Sequence, residues 1–442
     1  MLILRRMLLG AVVLLLVTSI AMSVRAASPV IKVLTIKGTI NPVLTDYVAR
    51  GISQAEDEDA TAVIIQLDTP GGLDLAMRDI IQEIVNSRVP VVVYVSPSGA
   101  RAASAGTYIT LAAHVAAMAP NTAIGAATPV ELGDSGQTAS EEMKQKILND
   151  ALAYIKSLAE SHGRNADWAE QAVRDGISAS AQEALSLNVI DLISPDLNTL
   201  VDQLDGREVT MLGGNKITLH TQGAVINQAR MTLAEDFLYA IADPNIAFIL
   251  LSMATLGIMV EIFSPGLIFP GIVGAICLLL AFFSLGVLPV NWTGVLLIVL
   301  AFGLFIGEAL TASVGLFTAG GAISLVVGAL ILFKGASPVF RVDPWLIATV
   351  TFIIVAVFAF VVNRVIAAHR RQATTGKEEL MGKTAVVKVA LAPEGMVFLK
   401  GERWAAISDS GRIEPGEEVT ITGIDGLTLH VVKAPKVKIK WV

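Results

Sequence analysis

From about residue 245 to 366 the chain is almost without charge. A run of that length and composition has no soluble fold open to it except as buried helices, and it divides into five apolar stretches at about 245–263, 267–288, 292–312, 315–333 and 344–366. Each approaches the roughly 20 residues that a helix needs to cross a bilayer. The intervening turns are short: Ser264-Pro265-Gly266, Pro289 to Asn291, and Ser313 to Gly315. Gly303, Gly307, Gly320, Gly321 and Gly328 suit close helix packing in lipid. The first two stretches also fit a re-entrant pair, so the count of about five crossings stays open. The whole chain agrees with a membrane protein carrying soluble parts: 54% hydrophobic, 16% charged, mean hydropathy +0.66.

The N-terminus has the shape of a targeting signal. Arg5 and Arg6 precede an apolar core from Met7 to Met22, and small residues stand at Ala26 and Ala27. Whether cleaved or kept as an anchor, it leaves the positive end inside and sends the next region out of the cytoplasm. Five crossings then return the C-terminus to the cytoplasm, where Arg364, Arg370 and Arg371 follow the last span. Lys334 and Arg341 fall on the outer side, against that tendency. The expected division is a signal peptide at 1–26, a soluble domain at 28–230, a membrane domain at 231–370 and a second soluble domain at 378–442.

The first soluble region alternates strand and helix patterns. Val30 to Ile36, Ala62 to Leu67, Val89 to Val95 and Val115 to Met118 read as buried strands. Pro42 to Glu56 (with Asn41 as N-cap), Leu73 to Asn86, Ala102 to Ala113 and Ser140 to Ser161 read as helices. That alternation implies parallel strands covered on both faces. Val209 to Leu212 and Ile217 to His220 form a small hairpin, and Thr232 to Ile241 an amphipathic helix leading to the membrane. The last 60 residues alternate apolar and polar positions in five short runs: Thr384 to Val389, Gly395 to Lys400, Arg403 to Ile407, Glu418 to Ile424 and Thr428 to Lys433. They suggest a small closed barrel of the OB type. Its charges nearly cancel and its aromatics are few (Phe398, Trp404, Trp441), so protein docking fits it better than a nucleic-acid strand. The net charge of −7 points the same way, to no nucleic-acid partner. The single cysteine, Cys277, excludes a disulfide framework, a zinc ribbon and a CxxC redox site, and no cofactor or metal is expected.

Two turns could carry chemistry. Ser104 lies where the third strand gives way to a helix, among Ala103, Ala105 and Gly106, which are too small to cover it. There it meets the positive end of a helix dipole, and the next amide can donate to an oxyanion. Position 102 is alanine, so the GxSxG elbow pattern is absent, and a serine in this place also serves as an ordinary N-cap. Asp68-Thr69-Pro70-Gly71-Gly72 closes the second strand, at the sheet end where open α/β folds bind ligands. A serine nucleophile needs a base. His114, His162, His220, His369 and His430 are the histidines, and His114 ends the same helical stretch as Ser104, pointing elsewhere. A lysine serves when burial disfavours its ammonium. Lys144, Lys146 and Lys156 lie on the long helix; the helical wheel alone leans to Lys144. Glu261 and Glu308, at or inside the apolar spans, raise a transport reading, against which stands a place at a helix end.

The run from Leu67 to Gly72, the run from Gly99 to Tyr108 (GARAASAGTY), HVAAMAP from His114, and Ile124 to Val130 together resemble the long form of NfeD proteins. These are membrane-bound serine proteases of the ClpP/crotonase class, similar to signal peptide peptidase A. KILNDALAYIKSLAESHGRNADWAE (Lys146 to Glu170) matches the family's helix, and GMVFLKGERWA (Gly395 to Ala405) its C-terminal barrel. The resemblance implies a ClpP/crotonase-like α/β domain, a transmembrane helical domain and an OB barrel. It implies Ser104 as nucleophile and Lys146, rather than Lys144, as general base. The amides of Gly71 or Gly72, with that of Ala105, would form the oxyanion hole. It further implies cleavage of an apolar segment in a stomatin-like membrane partner, contact with membrane lipid, and a homo-oligomer, dimeric or larger. The competing reading is a non-proteolytic scaffold that recruits a stomatin-like protein through its barrel.

Overall fold

The computed structural model describes residues 29–129, 140–263, 266, 268–311, 315–333, 340–369 and 380–434. The signal segment at 1–26, the polar loop to residue 139, Lys334, Arg370, Arg371 and Trp441 lie outside them. In chain order the first region runs β1 (Val30–Lys37), α1 (Pro42–Asp57), β2 (Ala62–Asp68), α2 (Asp74–Asn86), β3 (Val91–Val95), β4 (Arg101–Ala103), α3 (Ala105–Ala112), β5 (Val115–Met118) and β6 (Ala123–Gly125). It continues through α4 (Glu141–Ser161), α5 (Ala166–Arg174), β7 (Ser178–Ser180), α6 (Ala181–Ser186), β8 (Leu192–Ile193) and α7 (Leu197–Leu204). The short strands β9 (Glu208–Thr210), β10 (Lys216–Thr218) and β11 (Val225–Gln228) and the helix α8 (Leu233–Ile241) complete it.

A parallel six-stranded sheet in the order β11-β1-β2-β3-β5-β8 forms the centre. Its middle strands are β-branched runs buried on both faces, with all five residues of β3 inaccessible, as a sheet covered on both sides requires. One core cluster lies under α1, α2, α3 and α4, and a second on the opposite face under α7. Asn41 caps α1 by accepting the Leu44 N–H at 3.1 Å, just ahead of Pro42. A second, three-stranded sheet, β4-β6-β7, rises beside the main one. The expected helix at Ala102–Ala113 is therefore shorter at its start, since Arg101 to Ala103 pair with Ala123 to Gly125 as a strand. β9 and β10 are the expected hairpin.

Five apolar helices follow: α9 (Pro244–Phe263), α10 (Ile268–Val287), α11 (Trp292–Thr311), α12 (Leu316–Ile331) and α13 (Pro344–His369). Among the described residues, Pro244–Ile262 and Ile268–Val287 are long and apolar enough by themselves to cross a membrane. α9 packs on α10 through Gly257 and Gly274, where an added Cβ would come within 3 Å of the facing backbone. Gly294 and Gly328 bring α11 and α12 equally close. The Glu308 carboxylate is buried and accepts the Gly315 N–H at 2.6 Å and the Thr318 N–H at 3.0 Å. It caps the positive end of α12, a structural duty for this carboxylate at the helix junction. Glu261 packs against Gly271 of α10.

A second compact unit, from Ala359 onward, contains the barrel. β12 (Thr384–Val389), β13 (Glu394–Leu399), β14 (Glu402–Ser408), β15 (Glu418–Asp425) and β16 (Thr428–Lys433) close in the order β12-β13-β14-β16-β15. Alternate residues such as Val387, Val397, Ala406, Val419 and Val431 fill the interior, as the period-2 pattern requires.

Candidate active site

Ser104 stands between β4 and α3 with φ +53° and ψ −116°. A non-glycine residue in that conformation carries roughly 1–3 kcal/mol of strain that its surroundings must hold in place. They do so from both sides. The Ser104 N–H donates to the Gly125 carbonyl at 3.1 Å, and its own carbonyl accepts the Thr107 N–H at 2.9 Å. The Thr107 hydroxyl ties Ala102 and Gly125 together, at 2.9 Å to each carbonyl. Ser104 precedes the first residue of α3, yet its hydroxyl makes no capping bond. The ordinary N-cap role is therefore not what this serine performs. Its Oγ has no hydrogen-bond partner among the described residues.

The turn after β2 delivers the glycine pair. Thr69 bridges to the β4 strand, its N–H donating to Arg101 O at 2.8 Å while the Ala103 N–H donates to Thr69 O at 3.1 Å. This brings Gly71 against the serine. A Cβ on Gly71 would lie 2.7 Å from Ser104 Cβ, and its φ of +114° is one that side chains avoid. A Cβ on Gly72 would lie 2.1 Å from Ile40 O. The two amides differ in a way that sequence left open. The Gly71 N–H is engaged by Thr69 Oγ1 at 3.0 Å, whereas the Gly72 N–H finds no acceptor among the described residues. Ala105 opens α3, so its amide also lacks an intrahelical acceptor.

Ser104, Ala105 and Gly72 line a cavity of about 520 Å³ whose opposite wall is α4. Lys146, Ile147, Asp150 and Ala151 face into it. Lys144, the wheel's choice, is not in the lining and pairs with Glu141 one turn earlier, at 2.9 Å. Lys156 pairs with Glu170 at 2.7 Å. Lys146 has no ion pair among the described residues and is exposed in the single chain. The wall is fixed by a clamp that no local pattern announced. Arg78 of α2 binds Asp74 at 2.8 Å, reaches Asp150 on α4, and stacks over Tyr154 at 4.5 Å. Tyr154 in turn stacks on Tyr108 of α3. Asp150 lies one turn beyond Lys146, so the clamp sets the face of α4 that the cavity sees. The remaining lining residue of note is Phe340, from the segment just ahead of α13.

Among the described residues no histidine lines the cavity. His114 sits beyond the far end of α3, where its Nδ1 accepts the Val91 N–H at 3.2 Å and its ring meets His162 edge-on at 5.8 Å. Burial, helped by the nearby Arg164 charge, pushes both imidazoles down to about 4. Arg164 is itself buried, donating to Leu111 O and Ala113 O and pairing with Asp191 at 2.6 Å. His430 is in the barrel beside Asp409.

Comparison with known proteins gives a consistent picture. The chain matches the family models for the NfeD1b N-terminal domain over residues 30–195, the NfeD integral membrane domain over 245–364 and the NfeD-like C-terminal, partner-binding domain over 377–433. It is 41% identical to the membrane-bound protease PH1510 of Pyrococcus horikoshii, over 98% of this chain and 99% of that one. It is 27% identical to the membrane protein NfeD1b of Bacillus subtilis, over 97% and 98%. Among solved structures, the 1510-N membrane-bound stomatin-specific protease, as a lysine-to-alanine variant with a substrate peptide, is 40% identical. It covers 49% of this chain and 98% of that one, with a TM-score of 0.45. With its soluble α/β domain, its apolar helices and its barrel each matched, the chain belongs to the NfeD family, in the long form.

Proposed function

We propose that this protein is a membrane-bound serine endopeptidase, with Ser104 as nucleophile, Lys146 as general base, and the Gly72 and Ala105 amides as oxyanion donors. The observation that carries the reading is Ser104 itself: a strained residue with an unbonded hydroxyl, across one cavity from a lysine without an ion pair. The Ser104 Oγ attacks the scissile carbonyl carbon as Lys146 takes its proton. The carbonyl oxygen, now negative, is met by the two amides. Collapse breaks the C–N bond, the leaving amine takes the proton from Lys146, and an acyl-serine remains. Water, deprotonated by Lys146, then releases the new carboxylate and restores the hydroxyl. The free Gly72 amide favours it over Gly71 as donor, since Gly71 already serves Thr69.

A lysine is a base only when water is withheld from it. Lys146 is exposed in the single chain, so a substrate segment or a second copy has to cover it, which fits a homo-oligomeric enzyme closed by its substrate. The relative PH1510 is a membrane-bound protease and 1510-N is stomatin-specific. We carry over an apolar segment of a stomatin-like membrane protein as the substrate class, with the C-terminal barrel as the docking module, as its family description indicates. The scaffold reading rests on that barrel alone. We place the protease domain outside the cytoplasm and the barrel inside, keeping 28–230, 231–370 and 378–442 as the working boundaries after a signal at 1–26. The test is cleavage of apolar peptides from a stomatin-like protein by the full chain in lipid nanodiscs. Ser104→Ala should lose cleavage while still binding the partner; equal cleavage by the two proteins would remove the mechanism.

A further inference from the structure

Phe340 belongs to the membrane-helix part of the chain, yet it lines the cavity that holds Ser104 and Lys146. It is only 2% exposed and sits in the same apolar cluster as Phe302, Phe305, Leu332 and Ile347 of the helices. The segment around it is held, since Val342 is also buried and the Asp343 N–H donates to Asn245 Oδ1 at the start of α9, 2.8 Å away. Leu73, next to Gly72, packs on both this cluster and the core under the main sheet. The two cores thus meet at Leu73, the residue after Gly72. The apolar part of the cavity lining is completed by Met77, Ala127, Ile147 and Ala151, alongside the charged Asp74, Arg78, Lys146 and Asp150.

We propose that Phe340 is a specificity-determining wall of the substrate cleft: the membrane domain supplies the face against which a large apolar side chain of the substrate packs beside the reacting serine. The inference rests on the protease reading above and adds to it which residue selects the side chain. An aromatic ring fixed in a core sets a size limit, and one methylene more or less in such a pocket changes selectivity by roughly ten- to two-hundredfold. The placement also has a topological consequence. Four helices, α9 to α12, separate the soluble domain from Phe340, and an even number of crossings returns the chain to the side it left. The cleft therefore opens at the bilayer boundary, where an apolar segment of a membrane-associated substrate is presented.

The experiment uses full-length protein in nanodiscs and fluorescent decapeptides in which one residue, Ala, Leu or Trp, is moved through the central positions. Cleavage is measured with the parent, Phe340→Ala, Phe340→Leu and Phe340→Trp, and binding with the same set in a Ser104→Ala background. Phe340→Ala should shift the Trp-to-Ala preference about tenfold toward Trp, mostly through KM, and Phe340→Trp about tenfold toward Ala. Binding should shift in the same sense. If Phe340→Ala does not fold, the Leu and Trp variants carry the comparison alone. An unchanged preference at every position, in cleavage and in binding, overturns the proposal, as does failure of every peptide to bind. Preference that follows residue 340 in binding without any cleavage keeps the wall and removes the protease reading.

Discussion

Ser104 and His114, at the two ends of α3, are ten residues apart and opposite in design. At the N-terminal end Ser104 is strained, its hydroxyl unbonded and the Gly72 and Ala105 amides without an acceptor among the described residues. At the C-terminal end His114, His162, Arg164 and Asp191 pack together, with Arg164 bound to Asp191 and to two carbonyls and both imidazoles held neutral at ordinary pH. The histidine nearest the serine in sequence thus belongs to the scaffold, and the lysine 42 positions away belongs to the cleft. The N-terminal end leaves donors and a hydroxyl open to a ligand; the C-terminal end uses its side chains to hold strands and helices together.

The sharpest way to break that contrast is to delete groups at each end. Ser104→Ala and Lys146→Ala should each lower kcat/KM by about 10⁴-fold or more, without loss of Tm, as groups that act as a unit do. His114→Gln should stay within about tenfold of the parent, because its ring takes part in packing and one backbone bond. At the other end, Arg164→Ala should cost about 1–3 kcal/mol in denaturant melts, since it leaves the buried Leu111 and Ala113 carbonyls without their donor. Activity per folded molecule should remain. Gly71→Ala should inactivate more than it destabilises, because the new methyl meets Ser104 first; a misplaced nucleophile costs about 10²-fold.

The histidine pair adds a pH signature. Both side chains titrate near 4 in the fold against about 6.5 unfolded. The unfolded chain therefore gains protons that the fold refuses as pH drops from about 6.5 to 4. Stability should be flat above that window and decline through it, by up to about 3 kcal/mol per histidine. His162→Phe should make the decline shallower, which urea melts at stepped pH would register. The smallest effect belongs to Lys144→Ala, whose i,i+3 pair with Glu141 faces solvent; cleavage should stay within about twofold.

Much of this was legible in the sequence, for reasons that particular residues make plain. β1, β2 and β3 are β-branched runs bounded by turn residues, and their pattern has one outcome. The barrel strands announce themselves by strict alternation. β4 was hidden because Ala102 and Ala103 are small and without period, and only the positive φ at Ser104 ends the strand there. β11 escaped because Val225 to Gln228 is a short, exposed edge whose partner is β1, almost 200 residues earlier. The wheel leaned to Lys144 because the apolar stripe follows the core, whereas the cleft is lined by the stripe's edge, where Lys146 sits. Arg78 and Phe340 had no local signal at all: their roles exist only once α2, α4 and the segment before α13 converge.

The central claim is that Lys146 makes the Ser104 hydroxyl reactive. It is tested most directly by intact-mass measurement of acyl-enzyme formation on the full chain with an apolar peptide p-nitrophenyl ester, followed by peptide mapping. The account predicts one acyl group, on Ser104, formed quickly by the parent and by Lys144→Ala and at least a hundredfold more slowly by Lys146→Ala. Acylation at another residue, or an undiminished rate in Lys146→Ala, would contradict it.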